Sequence, residues 1–277
     1  MVSMRRTTSG FTLTELAVVL TIVALLLSSV MYTLSAQTEQ RNRTDALRRL
    51  ENARELLLSF AIVNGRLPCP AWSTGPTDPG TYGDESFSSG SAASGGGTCS
   101  NYLNGYLPAR AIGFGPTDSV GFALDPWGNR IRYALAETAS NPTGGSGCTG
   151  PASPAYSSKA NLKSNGIVCA PNTIVICDAA ENINPVPPVS CGTPSSSSHA
   201  RPVTNVRTVV AVVHSIGKNG AVTTPGSDEA QNINGNGVFV WHEPRPNGAA
   251  GGEFDDLLVW IPIGNLYSRM ISAGALP

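Results

Sequence analysis

The side chains able to do chemistry are few, and most stand apart. The three histidines are His199 in a Ser/Pro-rich stretch, His214 at the end of a β-branched run, and His242 beside Glu243. His242 is the best placed to act as a base, but no serine or cysteine nucleophile is tied to it and there is no nucleophile elbow. Gly145, Gly147 and Gly150 fit a dinucleotide-binding outline, yet no strand precedes them and no helix follows, so that site is not expected. The reading is therefore of a protein that is not an enzyme. Six cysteines remain, Cys69, Cys99, Cys148, Cys169, Cys177 and Cys191, with no C-x-x-C pair among them. That spacing argues against zinc and for disulfides in an oxidising compartment. Six cysteines leave fifteen pairings open; the shortest separation makes Cys169 with Cys177 the first expectation. One carboxylate is also out of place. Glu15 sits at the head of an apolar run, where a charge is costly and needs a partner.

The chain that carries these residues has 277 of them, with 18 Lys+Arg, 19 Asp+Glu and a net charge of -1. Such a balance offers no electrostatic footprint for nucleic acid. Charged residues are only 13%, while Gly and Pro number 30 and 21, and the apolar content is too high for a disordered chain. The low charge has a local cause. No charged side chain occurs from Leu16 to Thr38, a length that at about 1.5 Å per residue crosses a hydrocarbon core of about 30 Å. A removed secretory signal would have a shorter apolar region, and a cut after Ala36 would put Leu34 where a small residue belongs. A retained anchor is the better reading. Arg5 and Arg6 precede the segment and Arg41, Arg43, Arg48 and Arg49 follow it, so counting positive charges does not orient it. The cysteines, all C-terminal to it, place that part outside the cytoplasm.

The elements follow from periodicity and punctuation. Leu47, Leu50, Leu57, Leu58, Ala61 and Ile62 recur at helical spacing, and Arg41, Asp45 and Arg49 follow four-residue steps that suit helical ion pairs. With Gly65, Pro68 and Pro70 as stop signals, this predicts one helix from about Thr12 to Val63. Residues 71–105 read as a Gly/Ser/Thr loop tied by Cys69 and Cys99. Residues 138–205 read as a second loop holding one strand, Ile174–Cys177. Strands are expected at Ile131–Leu135, Val206–His214, Val238–Trp241 and Leu257–Ile263, with turns at Asn219-Gly220 and Asn236-Gly237 and a closing helix at Ile263–Ile271. The fold class is α+β: a long N-terminal helix, membrane-spanning in its first half and amphipathic in its second, packed on an antiparallel sheet with large disulfide-tied loops.

The run Ser9-Gly10-Phe11-Thr12-Leu13-Thr14-Glu15-Leu16, with its short basic leader and about twenty apolar residues after it, resembles the signal of type IV prepilins and type II secretion pseudopilins. The resemblance implies a prepilin peptidase cut between Gly10 and Phe11, N-methylation of Phe11, and pairing of Glu15 with the Phe11 ammonium of a neighbouring subunit. Opposite charges in a low-dielectric bundle satisfy each other where either alone is expensive. It also implies a division into a leader (1–10), a transmembrane and filament-core helix (11–36), an amphipathic continuation (37–65) and a periplasmic or extracellular pilin-like domain (66–277). The expected partners are other pilin or pseudopilin subunits, the prepilin peptidase, an assembly platform and membrane lipids, with no nucleic acid. The expected place is the bacterial inner membrane, single-pass with the N-terminus inside.

Three islands extend the resemblance. Asp125-Pro126-Trp127-Gly128-Asn129 looks like a turn segment of major pseudopilins, with Trp127 read as a packed aromatic and Pro126 as fixing the turn. Gly105–Gly113 has a similar flavour. Ser215–Gly220 and Asp255–Trp260 resemble that family's last loop and strand, whose acidic residues bind calcium. The matching positions are Asp255 and Asp256, with Asp228 and Glu229 as additions, and clustered carboxylates suit Ca²⁺. The stretch between Gly220 and Asp255 is much longer than the family's compact loop. The function implied is a structural subunit of a pilus or pseudopilus, a minor one because bulky loops crowd a close-packed shaft. The alternative is a membrane-anchored extracytoplasmic binding or adhesion module that does not polymerise.

Overall fold

The computed structural model describes residue 10 and residues 12–72, 82–137, 139–140, 156–165, 169–192, 200–220, 227–249 and 252–276; side chains at 29–36, 139–140 and 165 are not among these. Helix α1 (Leu13–Asn64) is 52 residues long, one residue later at each end than the spacing predicts. The chain divides into two compact units, residues 1–44 and 45–277.

In the first unit every described side chain from Thr12 to Ser28 is exposed, and Leu13, Leu25 and Leu26 are among the most open. Its hydroxyls turn back on the helix. Thr21 Oγ1 donates to the Ala17 carbonyl at 2.9 Å and Ser28 Oγ to the Ala24 carbonyl at 2.9 Å, which satisfies them without water. Among the described residues no helix is long and apolar enough to cross a membrane. The apolar run expected to do so continues into 29–36, whose side chains lie outside the described set.

The second unit is built on one four-stranded antiparallel sheet in the order β10-β8-β4-β3. These strands are β3 (Gly105–Tyr106), β4 (Arg132–Leu135), β8 (Val209–Ser215) and β10 (Leu257–Pro262). All seven residues of β8 are buried, as a β-branched run flanked by strands on both edges should be. Against the sheet lies the second half of α1, which buries Ala46, Leu50, Ala53, Leu57, Leu58 and Ala61 in the main core. The expected face is thus turned slightly. Leu47 is 39% exposed, and small Ala46 and Ala53 take the contact, since alanine lets helix and sheet approach closely. The i,i+4 pair forms, with Arg49 to Asp45 at 2.7 Å. Helix α5 (Ile263–Ser272) follows β10 directly and buries Leu266, Tyr267 and Met270.

Smaller elements surround this frame. The loop expected over 71–105 contains a hairpin, β1 (Phe87–Ser91) with β2 (Gly96–Cys99), closed by the disulfide Cys69–Cys99. Helices α2 (Ala109–Ile112), α3 (Lys159–Asn165) and α4 (Asp228–Ile233) are too short for periodicity to reveal. Strand β7 (Val175–Cys177) pairs with β9 (Val238–Val240) in parallel, the one departure from the antiparallel expectation among the described strand pairs. The expected Cys169–Cys177 disulfide is not formed; Cys177 is bonded to Cys191. The topology explains why. β6 (Ala170–Pro171), next to Cys169, pairs with β5 (Ala139–Ser140), whereas β7 pairs with β9, so the two cysteines feed different ladders. Cys177 and Cys191 instead share a small core with Val175, Val189, Ala200 and Val238. Cys169 is disulfide-bonded as well; Cys148 lies outside the described residues.

Candidate functional site

Two places gather the chemistry. The first is the start of α1. Thr12 precedes the helix, and Glu15 is in its first turn. Glu15 Oε2 accepts from the Thr12 backbone N–H at 2.9 Å and from Thr12 Oγ1 at 2.8 Å, while the Glu15 N–H donates to Thr12 Oγ1 at 3.3 Å. This is a capping box, in which residues three apart satisfy each other's open donors. The T-x-x-E spacing of Thr12 and Glu15 is the sequence signal of this cap. Gly10 is exposed, and Phe11 lies outside the described residues.

The second place is the base of the segment between β8 and β10. It is assembled from the Asp125 turn upward. Asp125 is 3% exposed. Its Oδ1 accepts from the N–H groups of Trp127 at 3.0 Å and Asn129 at 2.8 Å, closing the turn on itself. Gly128 allows this with φ +89°, a conformation side chains resist. Asp125 Oδ2 accepts from Ser215 Oγ at 2.6 Å, and Asn129 Nδ2 donates to the Gly217 carbonyl at 2.7 Å. Trp127 packs on the main core. The turn therefore fixes the backbone leaving β8. That backbone continues as Lys218 and Asn219, whose N–H groups donate to Asp255 Oδ2 at 2.9 and 3.1 Å. Gly217 is required here, because a Cβ would lie 1.8 Å from Asp255 Oδ1.

Around Asp255 three carboxylates converge. One ligand atom each from Glu229, Asp255 and Asp256 lies within 4.8 Å of the others. Glu229 comes from α4 and is 2% exposed; both its oxygens accept from Asn219 Nδ2 at 3.0 Å, and Oε1 also accepts from the Asp255 N–H at 2.9 Å. Asp256 Oδ2 accepts from Asn232 Nδ2 at 2.7 Å. Asn232 also takes the N–H and donates to the carbonyl of Val240, tying α4 to β9. Burial pushes the Asp255 carboxyl up to about 6, with the charge of Glu229 adding and the Asn219 and Lys218 N–H groups opposing. Burial also pushes Asp256 well above the carboxylate range, against the Asn232 bond and with Glu229 and Asp255 adding.

Asp228, expected in the same set, goes elsewhere. Its Oδ2 meets Arg245 and His242 Nε2, the latter at 3.1 Å, and its Oδ1 accepts from the Ala180 N–H at 2.8 Å. Burial alone would raise this carboxyl, but the bonds from His242, Ala180 and Arg245 hold it below its ordinary value. It is an ion-pair anchor for the return of the chain to β10. His242 stacks on Phe254 at 3.9 Å between ring centroids. His214 is buried in β8 against Phe239, and His199 lies outside the described residues.

The three-carboxylate cluster fits a hard divalent cation on two grounds. Asp255 Oδ1 and Asp256 Oδ1 are buried with no hydrogen-bond partner, an expensive state unless something charged meets them. And two oxygens bound to one Ca²⁺ at about 2.4 Å are at most about 4.8 Å apart, which is the spread observed.

Residues 5–31 match the family model of the prokaryotic N-terminal methylation motif, the signal of type IV pilins and pseudopilins. It is a structural, pilin-type motif rather than the mark of an enzyme family. The α+β fold, with its N-terminal helix on an antiparallel sheet and its disulfides, is consistent with a pilin-like fold. No curated protein and no solved structure matches the chain.

Proposed function

We propose that the chain is a structural subunit, of the minor type, of a type IV pilus or type II secretion pseudopilus. The observation that carries this reading is the methylation motif over 5–31. It leads into a helix whose described side chains from 16 to 28 are apolar or back-bonded and stand exposed. Such a surface calls for lipid or neighbouring helices around it. In this reading residues 1–10 are a leader removed by a prepilin peptidase, 11–36 span the inner membrane and then the filament core, and 37–65 continue the helix into a periplasmic or surface domain, 66–277. The peptidase cuts after Gly10 and methylates Phe11. Glu15, held by Thr12 in the single chain, exchanges that partner for the Phe11 ammonium of the next subunit, which sets register. Asp255 and Asp256 hold a calcium ion that supplies positive charge where the strand β10 begins. The other subunits and the assembly platform are the partners.

The test is incorporation. Glu15→Val and Glu15→Ala should reach the membrane at normal levels and be depleted from sheared or purified filaments. Normal incorporation of both would remove the pairing role and favour an anchored binding module that does not polymerise.

A further inference from the structure

We infer that the outer edge of β10 docks an extended segment of a partner protein, which adds to the sheet as a fifth strand. β10 is the last strand in the order β10-β8-β4-β3, and among the described residues no strand pairs with its outer side. The opposite edge of the sheet is covered: β3 has two residues, and Ala71 bridges Tyr106 there. A strand with one neighbour turns the N–H and C=O of alternate residues away from it. Proteins blunt such an edge with charges, prolines or bulges, because it is a template for another chain. β10 carries no charged residue, and its proline and its bulge both fall at its end, at Pro262. Leu257–Ile261 are left unblunted.

The surroundings of this edge fit a main chain. A groove of about 400 Å³ is lined by Leu258, Val259 and Trp260. Consecutive strand residues point to opposite faces, so one groove reaches all three only along the edge. Helix α1 contributes Leu47, Glu51 and Arg54 to it, and Trp241 joins on the side of Trp260, which it meets edge-on at 6.1 Å. Leu47 and Trp241 are 39% and 37% exposed, so apolar side chains of a docked strand have surfaces to pack on at alternate positions. Glu51 and Arg54 pair with each other at 2.8 Å. The two charges of the groove therefore cancel, which suits an uncharged stretch. A second copy is the poorer occupant. Pairing β10 with itself needs a two-fold axis, which sets the sheet-packed halves of the two α1 helices in opposite directions, whereas the subunits of the proposed filament point one way.

The experiment uses the full chain in detergent micelles. The probes are acetylated hexapeptides Thr-X-Thr-X-Thr-X with X as Val, Ile, Leu or Phe, which favour strands. Tryptophan fluorescence reads binding, and residue-resolved amide exchange reads pairing. A binding peptide at ten times its dissociation constant should slow exchange of alternate amides within Leu258–Ile261 by about tenfold. Trp241→Ala and Leu47→Lys change exposed positions, and melting temperatures check that both variants are folded; each should bind about tenfold more weakly. Failure of every peptide to bind would overturn the inference. So would a fluorescence change without slowed amides, or an equal change with cellohexaose, either of which makes the groove a side-chain or sugar pocket. Loss of protection at Leu258–Ile261 on diluting the chain without peptide would place a second copy on the edge and overturn it too.

Discussion

Asp125 serves three partners with two oxygens: two N–H groups of its own turn on one, and the Ser215 hydroxyl at the end of β8 on the other. Removing it leaves buried donors unmet. Asp125→Ala should therefore lower unfolding free energy by about 2–3 kcal/mol, read from chemical denaturation, and a change under about 0.5 kcal/mol would show that the turn is held by its other contacts. His214 makes the opposite kind of prediction. Burial drives its pKa from 6.5 to about 3, with Arg132 adding and the Asn232 backbone opposing, and neither ring nitrogen has a partner of good geometry. Between those two values the unfolded chain takes up a proton that the folded chain refuses. Stability is then lost as pH falls through that window, by up to about 1.4 kcal/mol per unit. His214→Leu should flatten this slope, gaining on the wild type from pH 7 to pH 4; parallel curves would mean that His214 does not sense acid. Glu15 shows a residue with two successive duties, a capping box in the single chain and an ion pair in the proposed assembly.

At the scale of elements, what the sequence made legible was what periodicity and β-branching encode. Helix α1, β4, β8, β10 and α5 lie within a few residues of their expected bounds because each is long or strongly patterned. The hairpin β1–β2 was missed because Ser, Gly and Ala carry no alternation, and its register is held by backbone pairing and the Cys69–Cys99 bond instead. The disulfide Cys177–Cys191 was missed because shortness of loop says nothing about which ladder each cysteine joins. The cation cluster was half legible: the Asp255-Asp256 pair was visible, whereas choosing Glu229 over Asp228 depends on which side of one turn of α4 faces the sheet. The Cys177–Cys191 bond closes a loop of 14 in sequence separation. Replacing both cysteines by alanine should cost about 3 kcal/mol and open residues 178–190 to protease, and unchanged resistance would assign the loop's order to the small core around Val189.

At the scale of the molecule, a net charge of -1 hides two differently built units. In the first, the described side chains from Thr12 to Ser28 all stand exposed. The second closes its core internally, from Ala46 to Leu276. A chain shortened to residues 45–277 should therefore unfold cooperatively in solution and fail to enter filaments; loss of cooperative unfolding would mean that the first unit is needed for folding. The central claim is that the N-terminal motif is used as a processing and assembly signal. The most direct measurement is intact-mass and N-terminal peptide mass spectrometry of the protein from cells with and without prepilin peptidase. The account predicts a chain of residues 11–277 starting at N-methylated Phe11 in the first case and an uncut chain in the second. An uncut or unmethylated chain in peptidase-positive cells would contradict it.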